Sequence, residues 1–219
     1  MKIAMPFPYL IRAATGLLAV LPLMAMAVDG VVLIDQNKAL AGGATPGDTA
    51  GYPITITQPG SYRLAGNLTV PSGMDGIVIT VPNVTIDLNG FAMIGDTSSG
   101  EAAIRFTGPA PARGLAIRNG SINGWRTPLL LGEKFFFIGT VSTPYDAAEV
   151  MLKDLYLNMG VFGVTQTLYV GANSTVNNVV AGAYRLIVAT CPSTVVNSVF
   201  NKVTPYQTRC LVANTATAS

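Results

Sequence analysis

The chain has 219 residues, half of them hydrophobic, with 13 basic and 11 acidic side chains, two cysteines and no histidine. So even and sparse a charge balance excludes the basic footprint of a nucleic-acid partner. The lack of histidine removes the commonest general base and metal ligand near neutral pH.

In chain order, Lys2 and Arg12 precede an apolar run that begins at Ala13 and closes on the small-residue site Ala25-Met26-Ala27. This pattern predicts a signal peptide over residues 1–27, cleaved before Val28. The run stops short of the ~18 residues a spanning helix needs, so no membrane span is expected after cleavage. Removing Lys2 and Arg12 leaves 11 basic residues against 11 acidic ones, a neutral mature chain. The expected location is secreted, periplasmic or at the cell surface.

Residues 28–219 suit one domain. Residues 28–60 are expected to cap it, with one short helix in "DQNKALAGG", where Asp35 can N-cap and Gly42 or Gly43 can terminate. From residue 50 onward Val, Ile, Thr and Asn dominate, which favours strands.

The stretch "NVTIDLNGFAMIG", Asn83 to Gly95, alternates apolar and polar residues and breaks at Asn89-Gly90. Alone, Asn-Gly signals a hairpin. Four later stretches echo it: "LAIRNGSING", "VMLKDLYLNMG", "TVNNVVAG" and "TVVNSVFN". They set Asn119, Asp154, Asn178 and Asn197 in one column, two residues after Ile117, Leu152, Val176 and Val195, at spacings of 35, 24 and 19. A constant strand pattern with variable spacing indicates coils rather than hairpins. Asn119, Asn178 and Asn197 are expected to stack as a hydrogen-bonded ladder at a coil corner, with Asp154 weakening it or facing solvent.

Cys191 and Cys210 are also 19 apart. If one coil is 19 residues, they stand on neighbouring rungs about 4.8 Å apart, within disulfide reach. In an exported chain they are expected to staple the C-terminal end. The segment 125–149 is either an apolar loop, through which copies could self-associate, or a divergent coil with two buried strands.

The run "GSYRLAGNLTVPSGMDGIVITVPNVTIDLNGFAMIG", followed by "LAIRNGSING", resembles the first coils of right-handed parallel β-helix proteins of the pectate-lyase-like superfamily. The likeness is good over Gly51 to Gly124, fair over Val150 to Asn214 and poor between Trp125 and Glu149. It implies an all-β fold, a right-handed parallel β-helix with an N-terminal cap, first coils over 61–124 and C-terminal coils over 150–219.

If the strands align in this way, Asp87, Arg118 and Lys153 fall on one outward line of three rungs. Polysaccharide lyases of such a fold use a cation to stabilise a uronate and a basic residue to remove a proton, so these three are the candidate catalytic residues. Aligning Asn89-Gly90 with Asn119-Gly120 instead would dissolve the line. No cofactor is implied. Calcium takes six to eight oxygens, and Asp75, Asp87, Asp96 and Glu101 are too scattered to indicate it. Tyr62, Tyr145, Tyr156, Tyr169, Tyr184, Tyr206 and Trp125 could stack on sugars if outward-facing.

Three functions follow as expectations. The first is a non-catalytic exported β-helix that binds extracellular or cell-surface carbohydrate. The second is a polysaccharide lyase or hydrolase with an atypical site, on fold analogy. The third is a structural or adhesive surface solenoid.

Overall fold

The computed structural model describes residues 30–96, 102–109, 112–125, 127–130, 149–158, 166–188, 192–205 and 210–217. Residues 1–29, Cys191 and residues 131–148, which include Phe135 to Phe137, lie outside them. Among the described residues, no helix is long and apolar enough to cross a membrane.

In chain order the elements are β1 (Val32–Ile34), α1 (Gln36–Ala41), β2 (Ile54–Ile56), β3 (Gly60–Leu64), β4 (Leu68–Thr69), β5 (Ile77–Ile79), β6 (Val84–Asp87), β7 (Ala92–Ile94) and β8 (Ala102–Phe106). There follow β9 (Leu115–Asn123), β10 (Thr127–Leu130), β11 (Val150–Asn158), β12 (Gln166–Val170), β13 (Thr175–Val188), β14 (Thr194–Val196), β15 (Val199–Pro205), β16 (Leu211–Ala213) and β17 (Ala216–Thr217). The protein is mostly β, and every described strand pair is parallel. Parallel strands cannot be joined by a two-residue hairpin, so Asn89-Gly90 is a corner and not a reversal.

The strands form long parallel strips visited in a constant order. A first strip runs β1-β3-β6-β9-β11-β13-β14-β16. A second joins β4 and β7 to the far halves of β9, β11 and β13, then to β15 and β17. A third is the four-stranded sheet β10-β8-β5-β2. Residues two apart face the same way along each strand, so each strip buries aligned columns, among them Tyr62, Ile86, Ile117, Leu152, Val176 and Val195 in the first. The second buries Leu68, Met93, Ile122, Leu157, Ala181 and Phe200, and the third Ile77, Ile104 and Leu129. Each such aliphatic contributes roughly 1.5–3 kcal/mol, so the columns hold the strips together.

Along the first strip the chain advances 35 residues from Ile117 to Leu152, 24 to Val176 and 19 to Val195, the spacings of the Asn/Asp column. The last step, Val195 to Val212, is 17. This corrects the cysteine phase. Thr194 pairs with Leu211, which sets Cys210 level with Ser193. A single 19-residue interval was extended one step too far along the strip. Among the described residues no cysteine is free.

The corner column has a backbone basis beside its side-chain bonds. Asn119, Asp154, Asn178, Asn197 and Asn214 all have φ between 51° and 62°, as do Asn83, Asn89 and Asn173. Asn and Asp are the residues other than glycine that enter this left-handed region most readily. Their first task is therefore to turn the backbone from the first strip into the second. The side-chain bonds are secondary and mixed. Asn119 Nδ2 donates to Asp87 at 3.1 Å, Asn178 Nδ2 to Asp154 at 2.8 Å, and Asn197 Nδ2 to Asn177 at 3.3 Å. Asp154 thus accepts within the column while standing exposed to solvent.

Over the N-terminal end, α1 forms where expected. Asp35 caps it by accepting from Lys38 N at 2.9 Å, and Gly42 closes it at φ 90°. Gln36 ties the helix to the second strip, donating to Thr69 O at 3.1 Å and accepting from Thr69 N at 2.8 Å. Asp48 accepts from Thr55 N at 2.9 Å, and Thr57 Oγ1 donates to Pro46 O at 3.1 Å, so loop 45–48 lies against β2. Of segment 125–149, Trp125 and Leu129 are buried and β10 pairs with β8.

Candidate functional site

On the outward side of the first strip, the pairing sets Arg63 beside Asp87, Asp87 beside Arg118 and Arg118 beside Lys153. The two alignments weighed from sequence are reconciled by a local insertion. The strands pair Ile86 with Ile117, so Asp87 meets Arg118. The corner after β6 then takes two positive-φ residues, Asn89 at 54° and Gly90 at 79°, and so falls one residue later than the corner at Asn119.

Asp87 is 7% exposed although it points outward, because two arginines fold over it. Arg118 Nη2 lies 3.3 Å and Arg63 Nη2 3.6 Å from Oδ2. Oδ1 accepts from Asn89 N at 2.8 Å and from Asn119 Nδ2 at 3.1 Å. Burial pushes this carboxyl upward. The Asn89 backbone bond, the Asn119 amide and the Arg118 and Arg63 charges outweigh it, holding the pKa below its ordinary value. Four partners occupy about as many acceptor sites as a carboxylate has. Asp87 is therefore an ionised anchor whose lone pairs are committed, a poor arrangement for taking a proton from a substrate.

Lys153 stands one rung beyond Arg118, half-exposed, with Nζ 3.8 Å from Asp154 Oδ2. It does not touch Asp87 in any ion pair of the described residues. The structure thus brings Asp87 and Arg118 into contact, adds Arg63, and leaves Lys153 as the outer end of the row. Continuing along the row, the outward positions become Asn177, Val196 and Ala213.

Arg63 was legible in principle. "YRL" at 62–64 aligns with "IDL" at 86–88, but the Asn that follows it, Asn67, comes too late to mark the coil. Sequence reasoning also missed three buried serines. Ser174 Oγ accepts from Val150 N, Ser193 Oγ from Ser174 N and Ser198 Oγ from Val179 N, at 3.1 to 3.2 Å, joining successive rungs.

The remaining acidic candidates are dispersed. Asp75 is engaged by Arg105 Nη2 at 2.9 Å and by Ala102 N at 2.7 Å, Asp96 is exposed, and Glu101 lies outside the described residues. Among the described residues, no three His, Cys, Asp or Glu side chains cluster closely enough to hold a metal ion. Of the aromatic candidates, Tyr62 and Trp125 are buried at 2% exposure, whereas Tyr156 is 51% exposed. Tyr145 and Tyr206 lie outside the described residues, and the side chains of Tyr169 and Tyr184 are not described.

No protein-family model, no curated protein and no solved structure matches this chain.

Proposed function

We propose that the chain is an exported right-handed parallel β-helix that binds an anionic extracellular or cell-surface polysaccharide without cleaving it. The observation that carries this reading is the row Arg63, Asp87, Arg118 and Lys153. Three cations stand on four successive rungs while the single carboxylate among them is saturated by protein donors. Neighbouring rungs are about 4.8 Å apart, so the row offers donors at intervals suited to the repeating anionic groups of a polymer.

Guanidinium forks match carboxylate and sulfate geometry. Arg118 meets Asp87 through Nη2, and its side chain is nearly half exposed. Cleavage is disfavoured because Asp87 is committed to four protein partners.

The coil reading is supported by parallel strips visited in constant order, and right-handedness by the near-universal hand of parallel crossovers. Export rests on the 1–27 leader, and a Cys191–Cys210 bridge would close the C-terminal coils. Mass spectrometry of the mature protein before and after reduction checks both.

The functional test is titration of the intact protein with alginate at low and high salt. Arg118→Ala and Lys153→Ala are each expected to weaken binding about tenfold, in line with ~1.5 kcal/mol for a bond to a charged group. Wild-type affinity in both variants would overturn the reading. Unsaturated-product absorbance appearing with alginate or polygalacturonate would overturn its non-catalytic part.

A further inference from the structure

We propose that Tyr156, with Asn158 and Asn123, forms a sugar-stacking subsite on the second strip, taking a pyranose ring of the same anionic polysaccharide. The proposal extends the reading above and rests on it for the ligand class.

Tyr156 sits in the interior of the second strip, level with Ser121 on β9 and Val180 on β13. Both neighbours are smaller, and the tyrosine is 51% exposed, so the phenol stands above the sheet surface. Tyr52 and Tyr62 point into the protein and bond Gln36 and Gln58 O; Tyr156 is the outward tyrosine among the described side chains. An aromatic ring pairs apolar surface with a polar tip, which suits the apolar face of a sugar ring.

Two residues further on, Asn158 pairs with Asn123 in the same register, so two amides stand beside the ring on its own face. Asn123 Nδ2 donates to Ser121 Oγ at 3.1 Å, which fixes that amide. An amide supplies both donor and acceptor, the combination a sugar hydroxyl needs.

The position relative to the cations selects the occupant. Lys153 and Tyr156 belong to one strand and are separated by the Asp154 corner, so their Cα atoms are at most about 10 Å apart. Arg118 and Ser121 repeat the same relation on β9. Charged groups bound on the first strip would therefore bring the following ring of the chain round the corner onto Tyr156. An uncharged glycan gains nothing from the first strip, and a hydrophobic partner gains nothing from the two amides.

The test titrates the intact protein with dextran sulfate, alginate and uncharged dextran, using Tyr156→Ala, Tyr156→Phe and Arg118→Ala, with thermal melting as a check on folding. Tyr156→Ala is expected to weaken alginate binding about tenfold with its salt dependence unchanged, and Tyr156→Phe to stay within about threefold of wild type. Arg118→Ala is expected to weaken binding and flatten the salt dependence. Dextran is expected to bind far more weakly than dextran sulfate.

Wild-type affinity in Tyr156→Ala with loss in Arg118→Ala would overturn the subsite and leave the cation reading standing. Loss in Tyr156→Ala with no change in Arg118→Ala would overturn the cation reading and keep the subsite. A concentration-dependent dimer of wild type that Tyr156→Ala abolishes would overturn the subsite in favour of a second copy. No binding to any of the three polymers would overturn both.

Discussion

The middle rungs, β6 to β11, and the last rungs, β13 to β17, share a strand register but differ in what they present. In the middle, the outward row is charged and its neighbour across the corner carries Tyr156 and Asn158. In the last rungs the same positions hold Asn177, Val196 and Ala213, then Val180, Val199 and Ala216. Inward, the middle column is fully buried, whereas Val212 at the end is half-buried. One backbone rule therefore serves two purposes. Outward chemistry can change without touching the core because alternate residues face opposite ways.

That contrast can be broken most strongly from inside. Leu152→Ala is expected to cost about 2–5 kcal/mol by leaving a cavity in a filled column. Val212→Ala, at a half-buried position, should cost under about 1 kcal/mol. Urea midpoints of the two variants measure the difference, and equal losses would mean that the last coil is as cooperative as the middle.

Asp87→Ala comes next. It leaves Arg63 and Arg118 facing one another and strips acceptors from Asn89 N and Asn119, at an expected cost of about 2 kcal/mol. Asp87→Asn keeps an acceptor and should cost less. The pH dependence follows from the lowered pKa. The stabilisation from Asp87 is complete above its unfolded value of 3.8 and is lost as pH falls through the lower folded value. Wild-type stability should therefore drop in that acid range, and Asp87→Asn should flatten the drop in urea titrations at stepped pH.

A smaller effect sharpens the corner argument. Asn178→Ala forces an alanine to φ 54° and should cost about 1–2 kcal/mol, while Asn178→Gly should cost less. A pure side-chain ladder would make the two equal in thermal melts. The smallest effect is expected for Lys153→Ala, within about 0.5 kcal/mol of wild type, since the Lys153–Asp154 pair is exposed. Its consequence should appear in polysaccharide binding and not in stability.

Much of this was legible in the chain. The offsets of 35 and 24 follow from Asn and Asp marking the corners, since a left-handed turn restricts the residue type, whereas the alignment of Asp87 with Arg118 runs one residue out of step with the Asn89 marker and follows from the apolar pattern that pairs Ile86 with Ile117. The end of the molecule was misread where a marker went unused. Asn197 to Asn214 is 17 residues, the true length of the last step, whereas the cysteines suggested 19. Arg63 escaped because its strand turns through Ala65-Gly66-Asn67, where the Asn comes later than in the other corners and is not among the positive-φ residues. The exposure of Tyr156 and the saturation of Asp87 could not be read, because both depend on which side chains of neighbouring rungs stand beside them.

The corner between the first and second strips has a fixed length over most of the molecule. Arg118 to Ser121, Lys153 to Tyr156, Asn177 to Val180, Val196 to Val199 and Ala213 to Ala216 are each three residues apart, although the coils they belong to differ by up to 18 residues. Across these five, the variation in length is thus taken up between leaving the second strip and returning to the first, while the corner from Asp87 to Ala92 is two residues longer. For protein engineering this divides the chain into a ruler and a slack line. Residues can be added or deleted on the slack side to graft new loops, while added length at the ruler needs a rebuilt corner such as Asn89-Gly90, where two positive-φ residues take it up and keep the following strand in phase.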